Sequence, residues 1–115
     1  MEQQSNPNIL LVGVGGIGGM TIELLAPALE RIQRTCTITL MDGDTVEATN
    51  LGHQRFTKSD IGKPKTEVLA QRFTDFEYVT CHSVAENLRN TEQLEGYDFI
   101  LIGVDRPLPR RLVHA

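Results

Sequence analysis

The chain has 115 residues, the length of one small domain. Hydrophobic residues make up 40% and charged residues 23%, with a formal net charge of −4. That balance suits a globular domain and excludes a nucleic-acid binder with a basic surface, and no apolar run is long enough to span a membrane.

The polar opening, MEQQSNPN, lacks the basic segment of a secretory signal. Residues 1–8 are expected to be a flexible leader, and residues 9–115 a single cytoplasmic nucleotide-binding domain. NILLVGVGG then begins with an apolar run, Ile9 to Val12, and ends in glycines. An uninterrupted run of this kind suits a strand buried on both faces. The segment IGGMTIELLAPALERIQRT has Ile17, Met20, Leu24, Leu25, Ala28 and Ile32 at helical spacing, which predicts a helix. Pro27 is expected to bend that helix or end its first segment. CTITLMD is rich in β-branched residues and predicts a second strand. Strand, glycine turn, helix and strand make a right-handed βαβ unit.

A long polar segment follows, Thr45 to Pro64, with turn-forming Asn50, Gly52, Ser59, Asp60, Gly62 and Pro64. Connections of that length in compact domains are usually functional or disordered. KTEVLAQRF predicts a helix with Val68, Leu69 and Phe73 inside; FEYVTCHSV a third strand; NTEQLEGY a short helical turn; YDFILIGVD a fourth strand. The alternation defines an α/β fold. The simplest arrangement is a Rossmann-like parallel sheet of about four strands in the order 3-2-1-4 with flanking helices. Cys36 and Cys81 belong to no CxxC pair and cannot assemble a structural zinc site, so both read as reduced thiols on strands.

In such sheets ligands bind beyond the carboxyl ends of the strands, where the strand order reverses. Three segments should meet there: Gly13 to Gly19, Asp42 to Asp44, and Gly103 to Asp105. Gly13, Gly15, Gly16 and Gly18 satisfy a GxGxxG pattern between a strand and a helix, which permits close approach of a phosphate to a helix N-terminus. Asp42 ends strand 2, where an acidic residue can accept from ribose hydroxyls; this does not choose between NAD and ATP. Asp44 reads as a turn residue. Lys65, at a helix start, is placed against the helix dipole and gains meaning if it meets a polyphosphate. Asp105 could hold magnesium, which prefers hard oxygen ligands.

The series GVGGIGG, DGDTVEATNLGHQ, IGKPK and GVD, spread from Ile9 to Asp105, resembles the ubiquitin-activating-enzyme-like adenylation family, which includes the bacterial ThiF and MoeB proteins. The family's usual pattern is GxGGxG, DxDxVxxxNLxRQ, GxPK and a strand-end aspartate. The resemblance implies ATP- and Mg2+-dependent adenylation of the C-terminal carboxylate of a ubiquitin-like or sulfur-carrier protein, in a homo-oligomer. By matching position, Gly16 would lie against the nucleotide and Asp42 would bind ribose. Asn50, Gln54 and Lys65 would hold the phosphates, and Asp105 the metal. The family's motif arginine is His53 here, and Arg55 is the residue that could replace it; His53, Arg55 and Asp105 are therefore the candidate catalytic positions. Family members are longer, so the chain is expected to be the N-terminal half of such an enzyme or a truncated form. Two other readings share the glycine loop: an NAD-dependent oxidoreductase half-domain, and a non-catalytic nucleotide-binding or scaffold protein.

Overall fold

The computed structural model describes residues 6–51 and 56–103. Four strands, β1 (Asn8–Val12), β2 (Cys36–Met41), β3 (Val79–Val84) and β4 (Phe99–Ile102), form one sheet in the order β3-β2-β1-β4. All three pairings are parallel, with Leu11 opposite Leu40 on one side and Leu101 on the other. The expected α/β architecture and strand order are therefore observed. Helix α1 (Gly16–Arg31) connects β1 to β2, and helix α2 (Lys65–Gln71) precedes β3.

The pleat divides the core in two. Leu11, Ile38 and Leu40 pack under Ile22 and Ala26 of α1 and Leu69 of α2. Leu10, Val12 and Met41 point to the other face, where Leu88, Leu94 and Tyr97 of the β3–β4 connection cover them. Burying one such aliphatic side chain contributes roughly 1.5–3 kcal/mol, so the two layers supply most of the cohesion. Val68, Leu69 and Phe73 are all buried, as the pattern of KTEVLAQRF predicts. Arg72 extends α2's contacts: it pairs with Glu23 of α1, lies 3.9 Å from Asp60, and sits 5.9 Å from the centroid of the Phe56 ring.

Helix α1 passes through its proline, and glycines set its buried face. It runs through Pro27 to Arg31 without ending. Proline removes only one intrahelical bond, and packing over the sheet holds the remaining turns. Its rotation about its own axis is the second feature. The buried residues are Gly18, Gly19, Ile22 and Ala26, whereas Ile17, Met20, Leu24 and Ile32 are exposed. Leu25 and Leu29 pack partly buried against the same core, so the inward face combines glycines with large apolar residues. A Cβ at Gly18 would lie 1.8 Å from the Gly13 carbonyl oxygen, and one at Gly19 would lie 2.9 Å from that of Val14. Only a glycine stripe lets the helix backbone come that close to β1.

Glu30, near the end of α1, ties the helix to the start of β3. Its carboxylate accepts from the backbone N–H groups of Glu77, Tyr78 and Val79 at 2.7, 2.9 and 3.0 Å. Desolvation works to raise its pKa, but the three backbone donors outweigh it and hold the carboxyl below its ordinary range. Burial pushes the Cys81 thiol up to about 11, as expected of an unreactive strand cysteine.

A folded-state pKa below the unfolded value means stability that is present above the unfolded pKa and is lost as pH falls through the folded one. Glu30→Gln should therefore lower the melting temperature at pH 7 and flatten its decline below about pH 4.3, the ordinary glutamate value. Thermal unfolding of both proteins across that range, followed by circular dichroism, checks this; parallel pH profiles would refute it.

Candidate nucleotide-binding site

The carboxyl ends of β1, β2 and β4 converge, and the convergence is made by backbone. Gly13 closes β1 with φ of 91°, a conformation that favours glycine, and its N–H donates to Met41 O at 2.7 Å. Gly103 follows β4, and its N–H donates to Val12 O at 2.7 Å. A Cβ on Gly103 would lie 2.6 Å from the Gly18 Cα and 2.7 Å from Gly13 O. The three glycines thus pack backbone on backbone, and this brings the chain leading toward Asp105 to the mouth of the glycine loop.

Gly16 differs from its neighbours. A Cβ built there would meet nothing within 4 Å. Packing among the described residues therefore does not account for glycine at this position. It begins α1, whose N-cap Gly15 supplies no side-chain hydrogen bond and whose first turn has no acidic residue. The first-turn N–H groups of a helix have no intrahelical partners. With Gly16 at this end and no side chain capping it, the terminus suits an anion.

Asp42 is buried at the end of β2. One carboxylate oxygen accepts from the Val14 N–H and the other from the Asp44 N–H, both at 2.9 Å. It thereby latches the glycine loop to the β2 turn. A carboxylate has about four acceptor positions, so these two bonds leave capacity for ligand hydroxyls. Gly43 is held from the other side: its N–H donates to Asn87 Oδ1 at 3.0 Å, and a Cβ would meet that amide at 2.7 Å.

Lys65 is buried at the first position of α2, with its Nζ 4.0 Å from Asp44 Oδ2. Asn50 ends a 3-10 turn, Ala48–Asn50, and its Oδ1 accepts from the Glu47 N–H at 2.7 Å. Its carbonyl oxygen is thus engaged by the turn, and its amide nitrogen is the end that can turn to a ligand. His53, Gln54, Arg55 and Asp105 lie outside the described residues. Of the remaining predicted site residues, Gly13, Gly15, Gly16 and Gly18 share one loop with Asp42 bonded to it. Lys65 is joined to them through Asp44. The Asp44 turn reading misses this: the residue partners a buried ammonium. The DxD spacing was the available signal, since two aspartates around a turn glycine can face different neighbours. Asn87 was missed, and Gly103, though expected at the strand ends, was given no packing role, because both depend on segments remote in sequence.

Two cavities, of about 540 and 590 Å3, lie elsewhere. The first is beside α2, lined by Asp60, Lys63 and Arg72; the second is beside β3, lined by Cys81, His82 and Tyr97. Neither touches the glycine loop or Asp42. The glycine cradle combines anion-binding backbone, an acidic latch and a nearby ammonium, which neither cavity does.

A parallel sheet of this order, with a glycine loop between its first strand and helix, defines a Rossmann-like α/β domain. The comparisons give the family. The ThiF family pattern matches residues 1–115, and the chain belongs to that family. It is 34% identical to the NEDD8-activating enzyme E1 catalytic subunit of Caenorhabditis elegans, over 99% of this chain and 26% of that protein. It is 34% identical to the adenylyltransferase and sulfurtransferase UBA4 of Yarrowia lipolytica, over 92% of this chain and 26% of that protein. Among solved structures, the tRNA N6-threonylcarbamoyladenosine dehydratase TcdA of E. coli, in complex with AMP, superposes with a TM-score of 0.75 and 29% identity. That match covers 93% of this chain and 44% of TcdA. The chain therefore spans about a quarter of the length of these two curated relatives.

The two loop glycines can be separated experimentally. Gly18→Ala should destabilise the fold by roughly 3 kcal/mol, because its Cβ has nowhere to go. Gly16→Ala should leave the melting temperature unchanged or slightly raised and weaken nucleotide binding. Denaturant unfolding and calorimetric titration of both variants check this; equal loss of stability in the two would show that the cradle is only packing.

Proposed function

We propose that this chain is the nucleotide-binding part of an adenylating enzyme that uses ATP and Mg2+ to activate the C-terminal carboxylate of a ubiquitin-like or sulfur-carrier protein. The observation that carries the reading is Gly16 at the N-terminus of α1, where a side chain would meet none of the described residues. The relatives support it. One is a NEDD8-activating subunit, another an adenylyltransferase and sulfurtransferase, and TcdA holds AMP.

The residues present fit such a ligand. The α1 N-terminus and Gly16 would receive phosphate, Asp42 would accept from ribose hydroxyls, and Lys65 and the Asn50 amide would meet further phosphate oxygens. Gln54 is assigned to the phosphates and Asp105 to Mg2+ by matching position. In the reaction, a carboxylate oxygen attacks the α-phosphorus and pyrophosphate leaves, so the protein's work is positioning and charge stabilisation. His53 stands where the family has arginine and lacks a permanent charge and a bidentate fork. Arg55 is the candidate to supply that charge. The exchange of arginine for histidine favours, as a second reading, a nucleotide-binding protein of this fold without catalysis. An NAD-dependent oxidoreductase half-domain is less favoured, because it gives Lys65 no task.

Titration with ATP–Mg2+ and with NAD should show binding of ATP and at least tenfold weaker binding of NAD, the margin of about 1.4 kcal/mol that one charged contact supplies. ATP–pyrophosphate exchange should then appear when a carrier protein is added. Binding without exchange would support the non-catalytic reading, and NAD preference would sink the adenylation reading.

We further propose that the protein self-associates in the cytoplasm. Ile17 and Leu24 are 74% and 67% exposed on α1, and Phe99 of β4 is 59% exposed. Apolar surface of this kind, on one helix and one edge strand, favours association. No described helix is long and apolar enough to cross a membrane. Light scattering at rising concentration should show a dimer or larger species, weakened by Ile17→Ser/Leu24→Ser; a monomer throughout would refute this.

A further inference from the structure

Two short backbone segments lie side by side beneath the candidate site. Thr45 and Pro64 form an antiparallel bridge. The Val46 N–H donates to Lys63 O at 2.8 Å, the Gly62 N–H to Val46 O at 2.9 Å, and the Lys65 N–H to Asp44 O at 3.1 Å. This small ladder joins the β2 turn to the start of α2. It sets both the main chain and the side chain of Lys65 against residue 44.

Lys65 is an awkward residue to place there. Its side chain is 7% exposed, and a buried ammonium needs a compensating charge. It also occupies the first turn of a helix, where the dipole disfavours a cation. The Asp44 carboxylate, 4.0 Å from Nζ, offsets both effects. At that separation the pair is an ionic contact and not a hydrogen bond, so it does not consume the ammonium's N–H donors. Asp44 is in turn fixed by its own N–H, which donates to Asp42 Oδ1. The other oxygen of Asp42 holds the Val14 N–H of the glycine loop. A continuous chain of contacts therefore runs from the loop through Asp42 and Asp44 to Lys65.

We propose that Asp44 is a positioning residue that holds the Lys65 ammonium in register with the glycine loop, charged and with donors available for a phosphate group. Its consequence for binding rests on the nucleotide reading above. Asp44 is not itself a phosphate contact, since like charges would repel. It sets where the positive charge stands, and Asp42 links that position to the loop.

The test uses the full chain and two readouts. The first needs no ligand. Lysines are acylated with a water-soluble ester at low extent, and the rate at Lys65 is measured by mass spectrometry against exposed Lys58 and Lys63. In Asp44→Asn the Lys65 rate should rise about tenfold relative to those two, the factor that corresponds to losing one ionic contact of about 1.4 kcal/mol. Asp44→Glu, which keeps the charge, should stay near the parent protein. An unchanged Lys65 rate in Asp44→Asn overturns the proposal.

If Asp44→Asn fails to fold, the double variant Asp44→Asn/Lys65→Met should regain folding, because the uncompensated ammonium is gone. Failure of that rescue also overturns the proposal. The second readout is calorimetric binding of ATP and of inorganic tripolyphosphate. Asp44→Asn and Lys65→Met should each weaken both ligands about tenfold, with no further loss in the double variant. Additive losses would count against positioning. If the parent protein binds neither ligand while Lys65 acylation still responds to Asp44→Asn, the nucleotide reading fails and the Asp44–Lys65 pairing stands.

Discussion

The close packing of backbone at Gly13, Gly18 and Gly103 is the constraint on which the rest of the structure depends. A side chain on Gly18 or Gly103 would collide with main-chain atoms of the loop. Without side chains, α1 settles against β1 and β4 lies beside the loop. The rotation of α1 follows from that approach, since Gly18 and Gly19 must face the sheet. So does the outward turn of Ile17, Met20 and Leu24. One steric requirement thus sets both the shape of the candidate site and the apolar surface offered for association.

The site's polar groups hang on the same frame. Asp42 spends one hydrogen bond on the glycine loop and one on its own turn. A carboxylate placed this way is a structural latch, and its two internal bonds leave lone pairs that the proposed ligand hydroxyls could use. Lys65 is held through Asp44 and a short antiparallel ladder. The arrangement keeps a negative latch, a positive side chain and a bare helix N-terminus in fixed relation before any ligand arrives. Electrostatic stabilisation works best when its groups need little reorganisation.

Much of the fold was legible because its signals are local. Apolar runs in NILLV and FILI mark parallel strands, although β4 at the sheet edge is partly exposed, and alternation with helices implies the parallel sheet. Val68, Leu69 and Phe73 fall inward as their spacing predicts. The glycine loop and Asp42 were recognisable from residue type and distance along the chain. The rotation of α1 was not. Periodicity marks α1 as a helix, but which of its apolar residues face the sheet depends on how closely Gly18 and Gly19 approach the chain after β1.

By itself, the sequence determined the order of elements, the parallel sheet, the ThiF-family motifs and the segments that meet at the strand ends. These follow from periodicity, turn chemistry and spacing, which are properties of neighbouring residues. Tertiary structure alone decided which glycines pack and which one clears space, which face of α1 is buried, and that Asp44 partners Lys65. Those outcomes rest on distances between residues remote along the chain. Gly16 and Gly18 are the same residue two positions apart, and only their surroundings distinguish them.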